Sequence, residues 1–186
     1  MLTLASRSPQ RRAILTQLGV EFEVKPADVA ELTEGPPHEL VLENALRKAR
    51  AIGGELVLGV DTEVHLDGEI FGKAGDQAHA RAYLERLSGR EHEVWSGVAL
   101  RAGDGSERTA AAMTLVRFRT LGPEWIDWYL GTGEWRDRAG AYAIQGLGSA
   151  LVERVEGDFW NVVGLPVYEL VRLAPEVFLH ARERQG

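Results

Sequence analysis

Asp61 follows the apolar run Leu56-Val57-Leu58-Gly59-Val60. A carboxylate at the carboxyl end of a buried strand stands where α/β proteins place ligands; it also stands where an Asp would form a turn. Ser6, Ser8 and Arg11 lie in Ala5-Ser6-Arg7-Ser8-Pro9-Gln10-Arg11-Arg12, between a short apolar segment and an apolar helical pattern. Arginine is normally placed toward the other end of a helix, because the N-terminus is already electropositive. A strand that turns straight into a helix presents free backbone N–H groups. Two serines add hydroxyls there, and Arg11 adds a planar fork suited to phosphate oxygens. The plainer alternative is a capped helix with solvated arginines. Lys48 on a helix, Lys73 just past a hairpin and Glu31 in a loop each read as surface residues when taken singly. As a set, basic groups, hydroxyl donors and carboxylates suit a phosphate substrate bound with a hard divalent ion. They suit phosphoryl or nucleotidyl chemistry, in which positioning and charge neutralisation do most of the catalysis.

What is missing narrows the chemistry. The chain of 186 residues contains no cysteine, so thiolate nucleophiles, disulfides and cysteine-containing zinc sites are excluded. The five histidines, at positions 38, 65, 79, 92 and 180, never pair at metal-ligand spacing. Gly68 to Lys73 imitates a P-loop but fails at Asp67, where the first glycine belongs, and at Ala74, where a Ser or Thr should hold magnesium. A net charge of −7 argues against a nucleic-acid binder, though a local basic pocket for a small anion remains compatible with it. No apolar run approaches the roughly 18 residues of a membrane helix, and the opening lacks a signal-peptide pattern. These readings predict a single domain over 1–186, cytoplasmic, with no nucleic-acid or membrane partner.

The elements that must position these residues are legible in outline. Leu2–Ala5 reads as a buried strand, Ser8 as a helix cap with Pro9 in the first helical position, and Gly19 as the stop. Val20–Val24 alternates as a half-buried strand, and Pro26–Pro37 is a loop. A helix is predicted over His38–Ile52, then a strand over Leu56–Val60 ending at Asp61. A hairpin follows, Val64–Leu66 and Glu69–Phe71, turning at Asp67-Gly68. Gln77–Leu87 is a helix; Glu91–Arg101 and Arg108–Phe118 are paired strands; Pro123–Leu130 is a short helix. Ala139–Gly148 is small and glycine-rich, Leu151–Val155 is a strand, and 166–184 is helical with a break at Pro175. Strand, helix and strand in succession point to an α/β or mixed sheet.

At these same residues the sequence resembles the Maf family of nucleoside triphosphate pyrophosphatases. The resemblance runs through Leu4–Arg12, Lys48-Ala49, Gly59–Thr62, Gly72-Lys73, Leu87–His92, Ala139–Gly146 and Val162–Pro166. It implies an α/β fold like that of the inosine-triphosphate pyrophosphatases, with a long twisted mixed sheet flanked by helices and two lobes around a central cleft. It implies hydrolysis of a nucleoside triphosphate to the monophosphate and pyrophosphate with Mg2+ or Mn2+, often by a homodimer. By position, Asp61 matches the catalytic acid/base or metal ligand, and Glu31 a carboxylate near the metal. Ser6, Ser8 and Arg11 match the phosphate-binding opening, and Lys48 and Lys73 the two lysines that meet the phosphates.

Substrate choice in the family follows positions matched by Gln10, Thr62 and Gln145. The dTTP/UTP branch carries Arg, Thr and Gln there, and the 7-methyl-GTP branch Trp, Gln and Glu. Two of three positions here follow the dTTP/UTP branch; Gln10 departs from both, and Ala74 replaces the family's Pro after Lys73. The resemblance leaves two alternatives, a 7-methyl-GTP pyrophosphatase and a nucleotide-binding division regulator with little turnover.

Overall fold

A computed structural model describes residues 1–179. It contains seven strands in one mixed sheet, ordered β2-β1-β3-β5-β6-β7, with β4 pairing β3 off this path. The chain divides into two compact units. One comprises Met1–Thr62, Ser96–Ala112 and residues 164–179; the other comprises Glu63–Trp95 and Met113–Val163. The expected sheet flanked by helices is therefore present.

In the first unit, β1 (Leu2–Leu4) lies between β2 (Phe22–Val24) and β3 (Leu56–Leu66) and runs parallel to both. Helix α1 (Pro9–Gln17) starts as its sequence dictates: Ser8 Oγ accepts from the Arg11 N–H, and Pro9 fills the first helical position, where a missing N–H costs nothing. Gly19, at φ +70°, supplies the left-handed residue that ends it. Helix α2 (Pro37–Arg50) buries Leu40, Val41, Asn44, Ala45, Lys48 and Ala49 along one face. The spacing is that of an amphipathic helix, yet two members of the buried face are polar. Small residues let this helix come close: Ala5, Ala45, Ala49, Val57 and Ala99 form the local core. A Cβ on Gly59 would lie 2.0 Å from the Ala45 carbonyl oxygen, and one on Gly97, in β5 (Glu91–Ala102), 2.2 Å from that of Val41. Glycine is required at both positions by backbone approach.

In the second unit, β4 (Glu69–Phe71) pairs antiparallel with the end of β3 through the turn Asp67-Gly68, both at positive φ as a two-residue hairpin requires. Helix α3 (Gln77–Leu87) is capped by Asp76, which accepts from the His79 N–H at 2.7 Å. Strand β6 (Glu107–Phe118), helix α4 (Pro123–Thr132) and strand β7 (Val152–Glu156) follow, and β7 runs antiparallel to β6. Phe71, Leu84, Phe118, Tyr129, Trp135 and Tyr142 belong to this unit's core.

The structure departs from the sequence reading in three places. The predicted strand 56–60 and the first arm of the hairpin are one strand, β3, so Asp61 lies inside a strand and not at its end. The β-branched Thr62 and Val64 favour continuation, and partners described below compensate the buried carboxylate. Strand β2 covers only Phe22–Val24, not Val20 and Glu21. Helix α5 (Phe159–Val163) and the 3-10 turn Leu147–Leu151 went unpredicted; both are single turns, too short for a periodic signal. The C-terminal helix breaks where the sequence predicts, into α6 (Val167–Leu173) and α7 (Glu176–Leu179), because Pro175 disfavours helical backbone at Ala174, which sits at φ −145°. The remainder of that predicted helix lies outside the described residues.

One core polar group carries a pH-dependence. His92 is buried, bonds through Nε2 to the Tyr142 hydroxyl at 2.9 Å, and meets Phe118 edge-on. Burial pushes its pKa down to about 3. The unfolded chain takes up this proton near pH 6.5 and the folded chain does not, so protons favour unfolding between those values. Stability is therefore whole above pH 6.5 and falls as pH drops toward 3, by up to about 1.4 kcal/mol per pH unit from this group. In urea melts at pH 7.5 and 5.0, His92→Gln is expected to flatten this dependence. An equal slope in wild type and variant would assign it elsewhere.

Candidate functional site

The opening loop is built around one hydroxyl. Ser6 Oγ accepts from the Ser8 N–H at 3.2 Å and from Arg11 Nη1 at 2.9 Å. Arg11 turns back from the first turn of α1. Its Nε donates to the Gly164 carbonyl at 2.8 Å and its Nη2 to Thr62 Oγ1 at 3.2 Å. Thr62 Oγ1 also lies 2.8 Å from Ser96 Oγ. Ser8 Oγ donates to Gln10 Oε1 at 3.1 Å. The unusual helix-start arginine is thus partly buried and no accident: it ties the β1–α1 loop to β3 and to the segment after α5. Burial draws its guanidinium below the ordinary value, and the negative charges of Asp61 and Glu31 oppose that shift.

A second cluster forms around Lys48. Its ammonium lies 2.7 Å from Asp61 Oδ1 and 2.8 Å from Glu31 Oε1. Lys48 is 8% exposed and Asp61 4%, so the pair is held out of water, while Glu31 reaches it from an exposed loop. An unpaired charge at such depth would cost several kcal/mol. The other oxygen of Asp61 accepts from Asn44 Nδ2 at 3.0 Å.

Asn44 escaped the sequence reading. Its carboxamide is fully buried; Oδ1 accepts from the Leu32 N–H at 2.7 Å, and Nδ2 donates to the Leu32 carbonyl at 3.0 Å. It copies the hydrogen bonding of a strand edge and so fixes the residue next to Glu31. Arg47 Nη1 adds a bond to the Ala30 carbonyl at 3.2 Å. Asn44 and Lys48 stand four residues apart, on one face of α2; that spacing was the available signal, masked because a buried face is expected to be apolar.

Ser6, Ser8, Gln10, Arg11, Glu31, Lys48, Asp61 and Thr62 all belong to the first unit, and Lys73 and Gln145 to the second. There Lys73 makes an antiparallel bridge with Ala139, and the Gly140 N–H donates to the Phe71 carbonyl at 2.7 Å. The segment holding Lys73 is thereby paired with the start of the glycine-rich block holding Gln145. Both side chains are exposed. Ala141 takes φ +57°, a left-handed conformation that costs a non-glycine residue roughly 1–2 kcal/mol.

Among the described residues, no group of three His, Cys, Asp or Glu could hold a metal ion. The donors that do converge, Glu31 and Asp61, are hard oxygen ligands already gathered about one positive charge. Magnesium is commonly held by one or two carboxylates, the rest of its shell coming from phosphate and water. The residues present fit an ion of that kind.

Fold and site together define an α/β protein in which a buried lysine–carboxylate cluster and an arginine-tied β1–α1 loop lie in one unit. The chain belongs to the family of Maf-like proteins, whose model matches residues 1–177. A protein of Anaeromyxobacter dehalogenans named dTTP/UTP pyrophosphatase is 51% identical, the match covering 92% of this chain and 91% of that one. One of the same name from Thermus thermophilus is 48% identical, with 92% of each chain covered. A HAM1 protein of Coxiella burnetii shares the fold at 17% identity and a TM-score of 0.54, over 94% of this chain and 98% of that one. Among the described residues, no helix is long and apolar enough to cross a membrane.

Proposed function

We propose that this chain is a nucleoside triphosphate pyrophosphatase acting on dTTP and UTP. Water attacks the α-phosphorus, the bond from that phosphorus to the oxygen bridging the α- and β-phosphates breaks, and monophosphate and pyrophosphate are released. The observation that carries this reading is the Lys48 ammonium set between two carboxylates, Asp61 and Glu31, in a chain about half identical to proteins of that name. Binding alone rarely calls for carboxylates beside a polyphosphate; hydrolysis does, to orient water and accept its proton.

In this mechanism Arg11 and Lys48 hold the triphosphate, with Ser6 and Ser8 contributing hydroxyls at the α1 N-terminus, and Lys73 is the phosphate-binding lysine that the family resemblance assigns in the second unit. Asp61 orients the attacking water and takes its proton. Glu31 and Asp61 are the residues that would hold magnesium or manganese, which when bound neutralises charge on the phosphate oxygens. Asn44 keeps Asp61 and the Glu31 loop in register. Gln10, Thr62 and Gln145 are the proposed specificity positions.

Gln145 reads the base edge in this proposal. A carboxamide both donates and accepts, matching the C=O, N–H, C=O pattern of uracil and thymine. Gln145→Glu removes the donor, and the kcat/KM ratio of UTP to GTP is expected to fall by about tenfold to a hundredfold; an unaltered ratio would take Gln145 out of base recognition.

The deciding experiment is a panel of dTTP, UTP, CTP, 7-methyl-GTP and 5-methyl-UTP, followed by pyrophosphate release with and without magnesium. The highest kcat/KM should belong to dTTP and UTP. A 7-methyl-GTP value above theirs would move the protein to that specificity, and no release from any of them with magnesium or manganese would favour a non-hydrolytic binder.

A further inference from the structure

We infer that Glu134 is a positioning residue for nucleotide selectivity, acting as a clamp on the backbone that presents Gln145. The inference rests on the base-reading role proposed above for Gln145. Glu134 follows the left-handed Gly133 that ends α4. Its carboxylate accepts two successive backbone N–H groups, Leu147 at 3.0 Å on Oε1 and Gly148 at 2.9 Å on Oε2. These groups open the Leu147–Leu151 turn, whose own residues supply no side-chain cap. The Tyr129 hydroxyl donates to the same Oε2 at 3.0 Å and accepts from the Ala143 N–H at 3.0 Å. Burial raises the pKa of that hydroxyl, so it remains a donor at neutral pH.

Gln145 is thus exposed on a segment fastened two residues before it, at Ala143, and two and three residues after it, at Leu147 and Gly148. A side chain that must distinguish hydrogen-bond patterns needs a fixed origin, since misplacement by about 1 Å can cost a hundredfold in rate. The glycines of this block fit the same purpose. A Cβ on Gly146 would fall 1.9 Å from Glu134 Oε1, so the carboxylate sits where only glycine leaves room. One on Gly148 would fall 2.5 Å from the Ala143 carbonyl oxygen, closing the segment on itself.

The test uses two variants of the full chain that disturb the clamp from opposite sides. Glu134→Gln keeps the side chain's size but turns an amide N–H2 toward one of the two backbone donors. Gly146→Ala keeps Glu134 and displaces its carboxylate. Both are expected to raise hydrogen exchange across residues 143–148 about tenfold or more and to lower the UTP-to-GTP ratio of kcat/KM about tenfold. The double variant should lose little more than either single one, because both break one contact. A purely structural role would lower the melting temperature and kcat/KM for both nucleotides alike and leave their ratio intact, which overturns the inference. So would unchanged exchange across 143–148. Gln145→Glu serves as the reference: if it leaves the ratio unchanged while exchange rises in the Glu134 variant, the base-reading role has failed, and the selectivity claim for Glu134 falls with it although the clamp itself stands.

Discussion

Asp61→Asn is expected to lower kcat for dTTP and UTP by about 10²–10⁴ while nucleotide binding persists, the range associated with loss of a positioned general base. The geometry explains why this near-isosteric change is not innocuous. Asp61 Oδ1 receives the Lys48 ammonium at 2.7 Å and Oδ2 receives Asn44 Nδ2 at 3.0 Å. An asparagine offers one acceptor where two are used, and its N–H2 group must face a donor. Asn44 cannot relieve this by flipping its amide, because its Oδ1 is held by the Leu32 N–H. A second cost of about 1–3 kcal/mol in stability should therefore accompany the loss of turnover. Single-turnover pyrophosphate release, combined with nucleotide titration by calorimetry, separates the two effects. Turnover within a few-fold of wild type would remove Asp61 from the chemistry and leave it a structural partner of Lys48.

The second large effect is expected far from any reacting atom. Gly59→Ala places a methyl 2.0 Å from the Ala45 carbonyl oxygen and 2.8 Å from the Ala49 nitrogen. Both are backbone atoms of α2, so no rotamer change relieves the overlap and the helix must move off β3. Overpacking of this kind costs about 3 kcal/mol, which for a chain of this size lowers the melting temperature by roughly 6–12 °C. Activity should fall beyond the loss of stability, because the same helix carries Asn44 and Lys48 to Asp61, two residues along the strand from Gly59. Gly53→Ala is the matched control: nothing lies within 4 Å of its Cβ, and its effect should stay within about 0.5 kcal/mol. Equal melting temperatures for the two variants would show that α2 is free to shift and that its close seating does not set the site.

The two predictions share a cause. The face of α2 that packs on β3 and β5 is the face that bears the polar groups, so closeness of packing and placement of charge are the same feature. Ala45 and Ala49, with Gly59 and Gly97 opposite, bring the backbones near enough for a carboxamide and a lysine to reach a carboxylate inside a strand. Larger residues at these positions would hold the helix further out and leave Asp61 buried without its partners.

Local information was enough for much of this chain. The Ser8-Pro9 helix start, the Asp67-Gly68 hairpin, the Gln77–Leu87 helix and the break at Pro175 each depend on neighbours a few residues apart, and each was legible from residue type and order. The ordered blocks from Leu4–Arg12 to Val162–Pro166 carried the family, and with it the mixed sheet. Tertiary structure alone decided that Asp61 lies within β3 and is compensated there, that Arg11 ties three distant segments together, that Asn44 joins the Glu31 loop to Asp61, and that Glu134 clamps the Gln145 segment. These are single side-chain contacts between positions 12 to 153 residues apart. Such a contact leaves no periodicity in the sequence, because one hydrogen bond constrains two residues and nothing between them; only the packing of helix on sheet brings its two ends within reach.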